Sequence, residues 1–297
     1  MPRRAAAPYL ILLAGVLITS TASIIIRMAQ GVGVPSLSIA AGRIVLAALI
    51  LTPLALTRAR PELRALRRGD LRLALGAGTF LAIHFASWIS SLAYTSVASS
   101  AALVTTNPLW VGLASVLIFR ERLGWRAIFG MALTITGAAV ISLSDSGDRQ
   151  QAAPLLGNSL ALLGALTGSG YLLIGRALRR RVSILSYIWL VYSTAGVILL
   201  LIALLTGQPL LGLPAYAYML LLGLAIGPQL IGHTALNYAL GSISATFVAI
   251  ALLGEPVGSA ILAALIFRES VAPLQIAGIA LLLIGILIAS LGETGSG

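Results

Sequence analysis

Long apolar stretches follow one another along the chain and are separated only by short polar segments. A helix of about 20 apolar residues is long enough to cross the hydrocarbon core of a bilayer, which is roughly 30 Å thick. No soluble domain fits between these stretches. The pattern predicts an all-α integral membrane protein with ten transmembrane helices, called spans 1 to 10 here, at roughly residues 8–29, 36–57, 71–94, 97–118, 125–144, 154–176, 184–206, 214–238, 243–266 and 271–292.

The chain contains an internal repeat. The segment Leu117–Glu121 recurs with the same five residues as Leu265–Glu269, a shift of 148 positions (265 minus 117). A match at a fixed period indicates duplication of a structural unit. The repeat predicts two domains, residues 1–148 and 149–297. Further residues kept in register by the same shift are Pro108 with Pro256, Gly130 with Gly278, Gly137 with Gly285, and Ser96 with Ser244.

Each repeat holds five predicted spans, and because five is odd, equivalent spans cross the membrane in opposite directions. The arginines support this orientation. With the N-terminus on the cytoplasmic side, 15 of the 19 arginines fall on that side, three fall on the other, and Arg43 lies within span 2. Cytoplasmic loops carry such an excess of basic residues. We therefore expect two inverted repeats around a central cavity, with both termini in the cytoplasm.

Composition agrees with a membrane protein. The chain is 59% hydrophobic and 9% charged, with a mean hydropathy of +1.04, whereas soluble domains carry about 25% charged residues. The net charge of +11 lies in short bursts between apolar stretches, as in loops at a membrane surface, so lipid and not nucleic acid is the expected partner. The absence of Cys excludes disulfides, thiolate metal sites and cysteine nucleophiles.

One pattern occurs in both repeats: Asn107-Pro108, Phe119-Arg120-Glu121, Gly130 and Gly137, then Glu255-Pro256, Phe267-Arg268-Glu269, Gly278 and Gly285. With ten spans in two repeats, this resembles the EamA family of the drug/metabolite transporter superfamily over nearly the whole chain. His84 in span 3 and Trp110 in span 4 make the chain similar to YddG-type amino-acid exporters. The resemblance implies transport of amino acids and related metabolites across a bacterial inner membrane, through a cavity lined mainly by spans 1, 3, 4, 6, 8 and 9.

Glu255 and Asn107 occupy equivalent positions near the middle of the bilayer. Glu255 lies 12 residues into span 9, or about 18 Å at 1.5 Å per residue. Pro108 and Pro256 follow these residues, free the carbonyls four positions back, and disfavour helical geometry just before themselves. We predict that the two prolines act as hinges. Glu255 either couples transport to protons or binds a cationic group, or else it is a buried carboxyl that only fixes helix packing.

Two polar stripes run along predicted helices. His84 shares a face of span 3 with Ser87, Trp88 and Ser91. Gln229, His233 and Asn237 are spaced by four on span 8. Polar faces are costly against lipid, so each stripe either lines the cavity or seals against a neighbouring helix through hydrogen bonds.

Aromatic residues and one arginine complete the candidate substrate site. Trp88, Trp110 and Tyr171 lie well inside spans, where they either pack or line a cavity suited to the apolar side chain of a zwitterion. Arg43 lies about 10 Å into span 2 by helical rise. It is a possible charge partner of a substrate carboxylate or of Glu255, or its side chain extends to the outer membrane surface.

Glycines predict close helix packing. Gly130 and Gly137 lie seven residues apart on one face, as do Gly278 and Gly285. Small residues four apart let helix backbones approach in membranes. Two such motifs are Gly164 with Gly168, and Gly223 with Gly227.

The leading hypothesis is a secondary transporter that moves aromatic or apolar amino acids, or related metabolites, by alternating access and in the direction of export. Export of cationic or aromatic drugs, or of another small metabolite, is the alternative. An enzyme would need a nucleophile–base pair or a metal set at one depth, which two His and one Glu do not supply. No catalytic residue, metal or cofactor is expected, and function as a monomer is compatible with the pattern.

Overall fold

The computed structural model describes residues 3–119, 124–146, 152–243, 247–248, 251–269 and 271–293. These residues form helices and connecting turns, with no strand among them. The helices are α1 (Arg3–Thr19), α2 (Ala22–Gly31), α3 (Ser36–Leu54), α4 (Arg60–Ala65), α5 (Arg68–Ser91), α6 (Val97–Val104), α7 (Asn107–Phe119), α8 (Trp125–Ser146), α9 (Pro154–Arg179), α10 (Ile184–Leu205), α11 (Ala215–Leu224), α12 (Thr234–Ala239), α13 (Gly254–Phe267) and α14 (Pro273–Glu293).

Seven helical segments of the described chain are long and apolar enough to cross a membrane. Three shorter apolar helices accompany them, at Ile128–Ile141, Gly254–Phe267 and Pro273–Ile288. The chain therefore has the character of a multi-pass membrane protein. The seven long segments are Ala7–Gly31, Ser36–Ala65, Arg68–Ser91, Val97–Ala114, Pro154–Arg179, Ile184–Leu205 and Ala215–Ala239.

Helices α8 and α14, which are equivalent in the sequence repeat, pack against each other through their glycines. A Cβ built on Gly137 would lie 2.5 Å from the Leu282 backbone nitrogen and 2.8 Å from the Gly278 carbonyl oxygen. A Cβ on Gly285 would lie 2.6 Å from the Thr134 nitrogen and 2.8 Å from the Gly130 carbonyl oxygen. The two helices cross so closely that neither position has room for a side chain.

The first of the two predicted small-residue motifs packs as expected. A Cβ on Gly164 would lie 3.2 Å from Trp88 Cβ, and one on Gly168 would lie 3.0 Å from His84 Nδ1, so α9 approaches α5 closely. The second prediction is wrong. Nothing lies within 4 Å of a Cβ built on Gly223 or Gly227, because this face of the helix is not turned toward a neighbour in the described structure.

Spans 4 and 9 are interrupted next to their prolines. Span 4 divides into α6 and α7, with Thr105 and Thr106 outside helical geometry just before Asn107. In span 9, Leu252 and Leu253 form a turn before α13 begins at Gly254. Both spans are therefore interrupted upstream of their prolines, but Asn107 and Glu255, the residues directly before Pro108 and Pro256, are helical, so the break lies further upstream than predicted. Each proline sits in the first turn of a helix, where its missing N–H removes no intrahelical hydrogen bond.

Three further irregularities were not anticipated. A π-helical stretch, Ala55–Ala59, follows α3 at the end of span 2. Span 1 is interrupted at Ser20 and Thr21, where the Ser259 hydroxyl donates to the free Ser20 carbonyl at 3.0 Å. Span 8 passes through a π-helical stretch, Ala225–His233, that contains Pro228. Such stretches occur most often at functional sites, because the wider turn redirects side chains.

Contacts between the repeats also tie helix ends together. Arg268 ends α13 in a left-handed conformation (φ 55°, ψ 30°). The Glu269 carboxylate then accepts a hydrogen bond from the Val97 backbone N–H, at 2.9 Å, at the start of α6. Gln275 Nε2 donates to the hydroxyls of Ser96 and Ser99 at 2.8 and 2.6 Å. The equivalent segment around Arg120 and Glu121, and Ser244, lie outside the described residues.

A second group of contacts joins the predicted cytoplasmic loops. The Glu62 carboxylate accepts hydrogen bonds from the Ser183 N–H, at 2.7 Å, and from the hydroxyls of Ser183 and Ser186 at the start of α10. Arg181 forms an ion pair with Asp70 at 2.9 Å. These contacts link the loop after span 2 with the loop after span 6.

Candidate functional site

A cavity lies where the interrupted spans 4 and 9 meet α5, α9 and the part of span 8 around His233 and Leu236. The cavity volume is about 40 Å³. One water needs roughly 10–15 Å³ of such volume, so the cavity has room for only a few waters in this conformation. It is lined by His84, Trp88, Val104, Thr105, Asn107, Gly168, Tyr171, Leu172, His233, Leu236, Leu252 and Glu255.

Glu255 and Asn107, the two residues that precede the prolines, both line the cavity. Asn107 lies beside Ser169, whose hydroxyl is 2.8 Å from the Ala165 carbonyl oxygen, 3.1 Å from the Asn107 carbonyl oxygen and 3.2 Å from the Asn107 side-chain oxygen, and donates to one of these three. The Glu255 carboxylate has no hydrogen-bond partner among the described residues, and it is the one acidic group in the cavity lining. The cavity therefore presents a carboxylate that is available to a ligand.

His84 lines the cavity through a ring whose tautomer is determined by its contacts. Its Nδ1 lies 2.8 Å from the Gly164 carbonyl oxygen. A carbonyl only accepts, so Nδ1 carries the proton and the other ring nitrogen of a neutral His84 is an acceptor. The ring stacks on Trp88, with centroids 5.9 Å apart. Glycine at position 168 leaves the space that His84 and Asn107 occupy.

The polar stripe of span 8 is divided between the cavity and the helix interfaces. His233 lines the cavity, and its Nδ1 has no hydrogen-bond partner in the described structure. Gln229 and Asn237 are completely buried behind the cavity. Asn237 accepts a 2.6 Å hydrogen bond from the Tyr171 hydroxyl, which fixes the Tyr171 ring in the cavity wall. His233 therefore lines the cavity, whereas Gln229 and Asn237 form hydrogen bonds to neighbouring helices.

Arg43 lies behind the cavity wall. Its side chain is 0% exposed, so it does not extend to the membrane surface, and that alternative is wrong. The reason is packing: the guanidinium sits 4.2 Å from the centroid of the Phe85 ring, and Nη2 donates to Gln229 Oε1 at 2.8 Å. Its Nε and Nη1 atoms have no partner among the described residues.

Two of the eight predicted substrate-binding residues do not line the cavity. Trp110 lies one turn beyond Asn107, and its indole N–H donates to Thr106 Oγ1 at 3.2 Å. Gln229 is engaged by Arg43. The structure brings together the remaining six, which are His84, Trp88, Asn107, Tyr171, His233 and Glu255.

Sequence reasoning missed the apolar part of the lining and Phe85. Val104, Leu172, Leu236 and Leu252 carry no chemical signal that separates them from lipid-facing residues in the same spans. Val104 and Leu252 could have been found, because they are the residues four positions before the two prolines.

The titratable groups do not form a metal site in the described part of the chain. No group of three His, Asp or Glu residues there lies close enough to hold a metal ion. The cavity instead combines one carboxylate, two imidazoles, an amide and aromatic rings, a set suited to binding an organic molecule.

Comparison with protein families defines the class of protein. The model of the EamA-like transporter family matches this chain twice, at residues 6–143 and 155–291. This family is part of the drug/metabolite transporter superfamily, so the class is a multi-pass membrane transporter of small molecules. The chain belongs to the EamA-like transporter family.

Known structures share the fold. Twenty-seven chains of solved structures match this chain. One crystal structure of a protein superposes with a TM-score of 0.67 at 18% sequence identity, covering 96% of this chain and 98% of that chain. At this identity the likeness concerns the fold alone. A comparison with curated proteins gave no match.

Proposed function

We propose that the protein is a secondary transporter that exports amino acids, aromatic or apolar ones above all, or related small metabolites across a bacterial inner membrane. The observation that carries the proposal is the cavity at the interruptions of spans 4 and 9. It combines the Glu255 carboxylate with the stacked rings of His84 and Trp88. An ammonium group suits the carboxylate, and an apolar or aromatic side chain suits the rings.

The transport cycle follows from two inverted five-helix repeats, with ten spans in all. Three contacts support this arrangement. Gly137 contacts Gly278, and Gly285 contacts Gly130. These two contacts are equivalent in the sequence repeat, so α8 and α14 pack against each other symmetrically. The end of span 9 lies at the start of span 4, its repeat equivalent, as an antiparallel arrangement of the two spans requires. Each repeat can adopt the conformation of the other, which alternates access to the cavity.

Pro108 and Pro256 are the hinges of this cycle. The chain is interrupted two to four residues before each proline, at residues 105–106 and 252–253, so a change of angle there breaks few backbone hydrogen bonds. In the described conformation the cavity has room for only a few waters, and an amino acid requires these hinges to open it.

The orientation places both termini in the cytoplasm. The contacts of Glu62 with Ser183, and of Asp70 with Arg181, join two arginine-rich loops that the distribution of arginines assigns to the cytoplasmic face. The contact of Glu269 with Val97 belongs to the opposite face.

Transport by purified protein in liposomes tests the proposal. Vesicles are loaded with a panel of unlabelled amino acids, and exchange for the labelled amino acid is measured with and without a pH gradient. We expect saturable exchange of aromatic or apolar amino acids, absent from empty liposomes. Failure to move any amino acid would overturn the proposal.

Export of cationic or aromatic drugs is the second candidate. It is favoured by the Glu255 carboxylate, which has no partner among the described residues and lies in a cavity with aromatic rings. Uptake of a lipophilic cation by the same liposomes, without exchange of any amino acid, would establish it.

A further inference from the structure

Two side chains of opposite charge flank the cavity: Glu255 is half-buried and Arg43 is completely buried. Glu255 lines it, and Arg43 lies behind the Phe85 ring, which contacts His233 at 5.3 Å between centroids. His233 and Glu255 line the same cavity, so the contacts from Arg43 to Phe85 and from Phe85 to His233 connect the buried cation with the wall of the cavity that holds the carboxylate.

Arg43 is not neutralised by its immediate neighbours. Its hydrogen-bond partner Gln229 is uncharged, the Phe85 ring carries no net charge, and two of its nitrogen atoms have no partner in the described structure. A buried cation without a counter-charge is strongly unfavourable. Glu255 is the one acidic residue of the adjacent cavity lining, so it is the counter-charge that the cavity offers to Arg43.

A bound ligand changes the balance between the positive charge of Arg43 and the negative charge of Glu255. An amine that neutralises Glu255 with its ammonium group removes the counter-charge of Arg43 and leaves a buried cation uncompensated. A zwitterion brings a carboxylate into the same region and restores the balance. In a site of low dielectric constant such a difference is much larger than in water.

We propose that Arg43 is a specificity-determining residue that makes the cavity select zwitterionic amino acids over the amines that lack the carboxylate. It acts through its charge across Phe85 and need not touch the substrate. The inference rests on the proposed function and adds the rule by which the site rejects simple cations.

The test compares an amino acid with its own decarboxylated amine. Inhibition of labelled phenylalanine exchange by unlabelled phenylalanine and by phenethylamine is measured in liposomes that contain the wild-type protein. We expect phenylalanine to bind at least about tenfold more tightly, which corresponds to about 1.4 kcal/mol. Equal binding of the two compounds would overturn the inference.

The variant Arg43→Gln keeps a polar side chain but removes the charge. We expect it to bind phenylalanine more weakly and phenethylamine more tightly, so that the preference is lost or reversed. Tighter binding of the amine is a gain that misfolding cannot produce. If both ligands weaken by the same factor, Arg43 has only a structural role.

Two further variants serve as controls. Arg43→Lys keeps the positive charge and should keep the preference. Arg27→Gln removes an arginine that donates to the Thr95 carbonyl oxygen at 3.0 Å, outside the cavity lining, and should leave the ratio unchanged. Amino-acid exchange with an unchanged ratio in Arg43→Gln contradicts only this inference, whereas no exchange in the wild type contradicts the proposed function as well.

Discussion

Glu255 combines two properties at the scale of the residue. It is the one acidic side chain in the cavity lining, and no described residue donates a hydrogen bond to its carboxylate. Its repeat equivalent Asn107 is neutral, and its side-chain oxygen lies 3.2 Å from the Ser169 hydroxyl. The scaffold is thus repeated while the chemistry of the cavity is not.

The variant Glu255→Gln is expected to weaken binding of an ammonium-bearing substrate by about tenfold to a hundredfold. This is the range expected for loss of a hydrogen bond to a charged group, about 1.5–3 kcal/mol. Exchange measured between pH 5 and 8 should also lose the part of its pH dependence that Glu255 contributes, because the variant has no proton to exchange at position 255, while His84 and His233 remain in the lining. Unchanged rates with unchanged pH dependence would exclude both roles of Glu255.

Glycine substitutions test the helix packing. In Gly137→Ala the new Cβ would lie 2.5 Å from the Leu282 backbone nitrogen, and backbone cannot move aside as a side chain can. We expect a loss of stability of about 1–3 kcal/mol, as is typical of overpacking. It is measured as a lower melting temperature of the protein in detergent.

The matched control is Gly223→Ala, where no atom of the described residues lies within 4 Å of the new Cβ. Alanine favours a helix over glycine by about 0.5–1 kcal/mol, so this variant should melt at the same temperature or slightly higher. If the two variants melt alike, the close crossing of α8 and α14 is incorrect.

At the scale of the element, the Arg268-Glu269 pair has a clear structural part in the described repeat. Arg268 adopts a positive φ of 55°, which turns the chain at the end of α13. Glu269 is thereby placed at the first turn of α6, where a carboxylate is favoured by the unpaired N–H groups and the helix dipole. The pair joins the end of span 9 to the start of span 4, which is its equivalent in the sequence repeat.

Two replacements of Arg268 isolate its conformational role, because glycine and valine both remove the charge but differ in how well they adopt a positive φ. Arg268→Gly should be tolerated, because glycine adopts a positive φ without steric cost. Arg268→Val should be less stable than the glycine variant by about 1–2 kcal/mol, the cost of a left-handed residue with a side chain. Melting temperatures in detergent decide this, and a valine variant as stable as the glycine variant would contradict it.

Only some of the helix interruptions could be predicted from the sequence. Pro108 and Pro256 identify two of them, since proline cannot donate a hydrogen bond. The break at Ser20 and Thr21 depends on Ser259, 239 positions away, which satisfies the free carbonyl. Pro228 marks the π-helical stretch of span 8, but a proline does not by itself distinguish a kink from a wider turn.

At the scale of the whole molecule, the sequence was a good guide to which polar residues come together. It was a poorer guide to which of them line the cavity. Six predicted residues line it because polar groups inside a bilayer must turn toward protein or water. Depth and helical periodicity could not show that Phe85 separates Arg43 from the cavity, or that Arg43 engages Gln229. Those contacts depend on the packing of spans 2, 3 and 8.

The central claim is that this cavity is the substrate site and opens to each side of the membrane in turn. The chain has no cysteine, so a single cysteine can be introduced without competing thiols. Leu252→Cys places it in the cavity lining, and Val197→Cys, on an exposed apolar helix surface, is the control. Labelling by a membrane-impermeant maleimide is followed in vesicles of known orientation.

We predict that Cys labelling at position 252 occurs from either side of the membrane and is slowed by the transported amino acid. At position 197 labelling should be slow from both sides and indifferent to the amino acid. Labelling at position 252 from one side only, or at a rate that the amino acid does not change, would contradict the account.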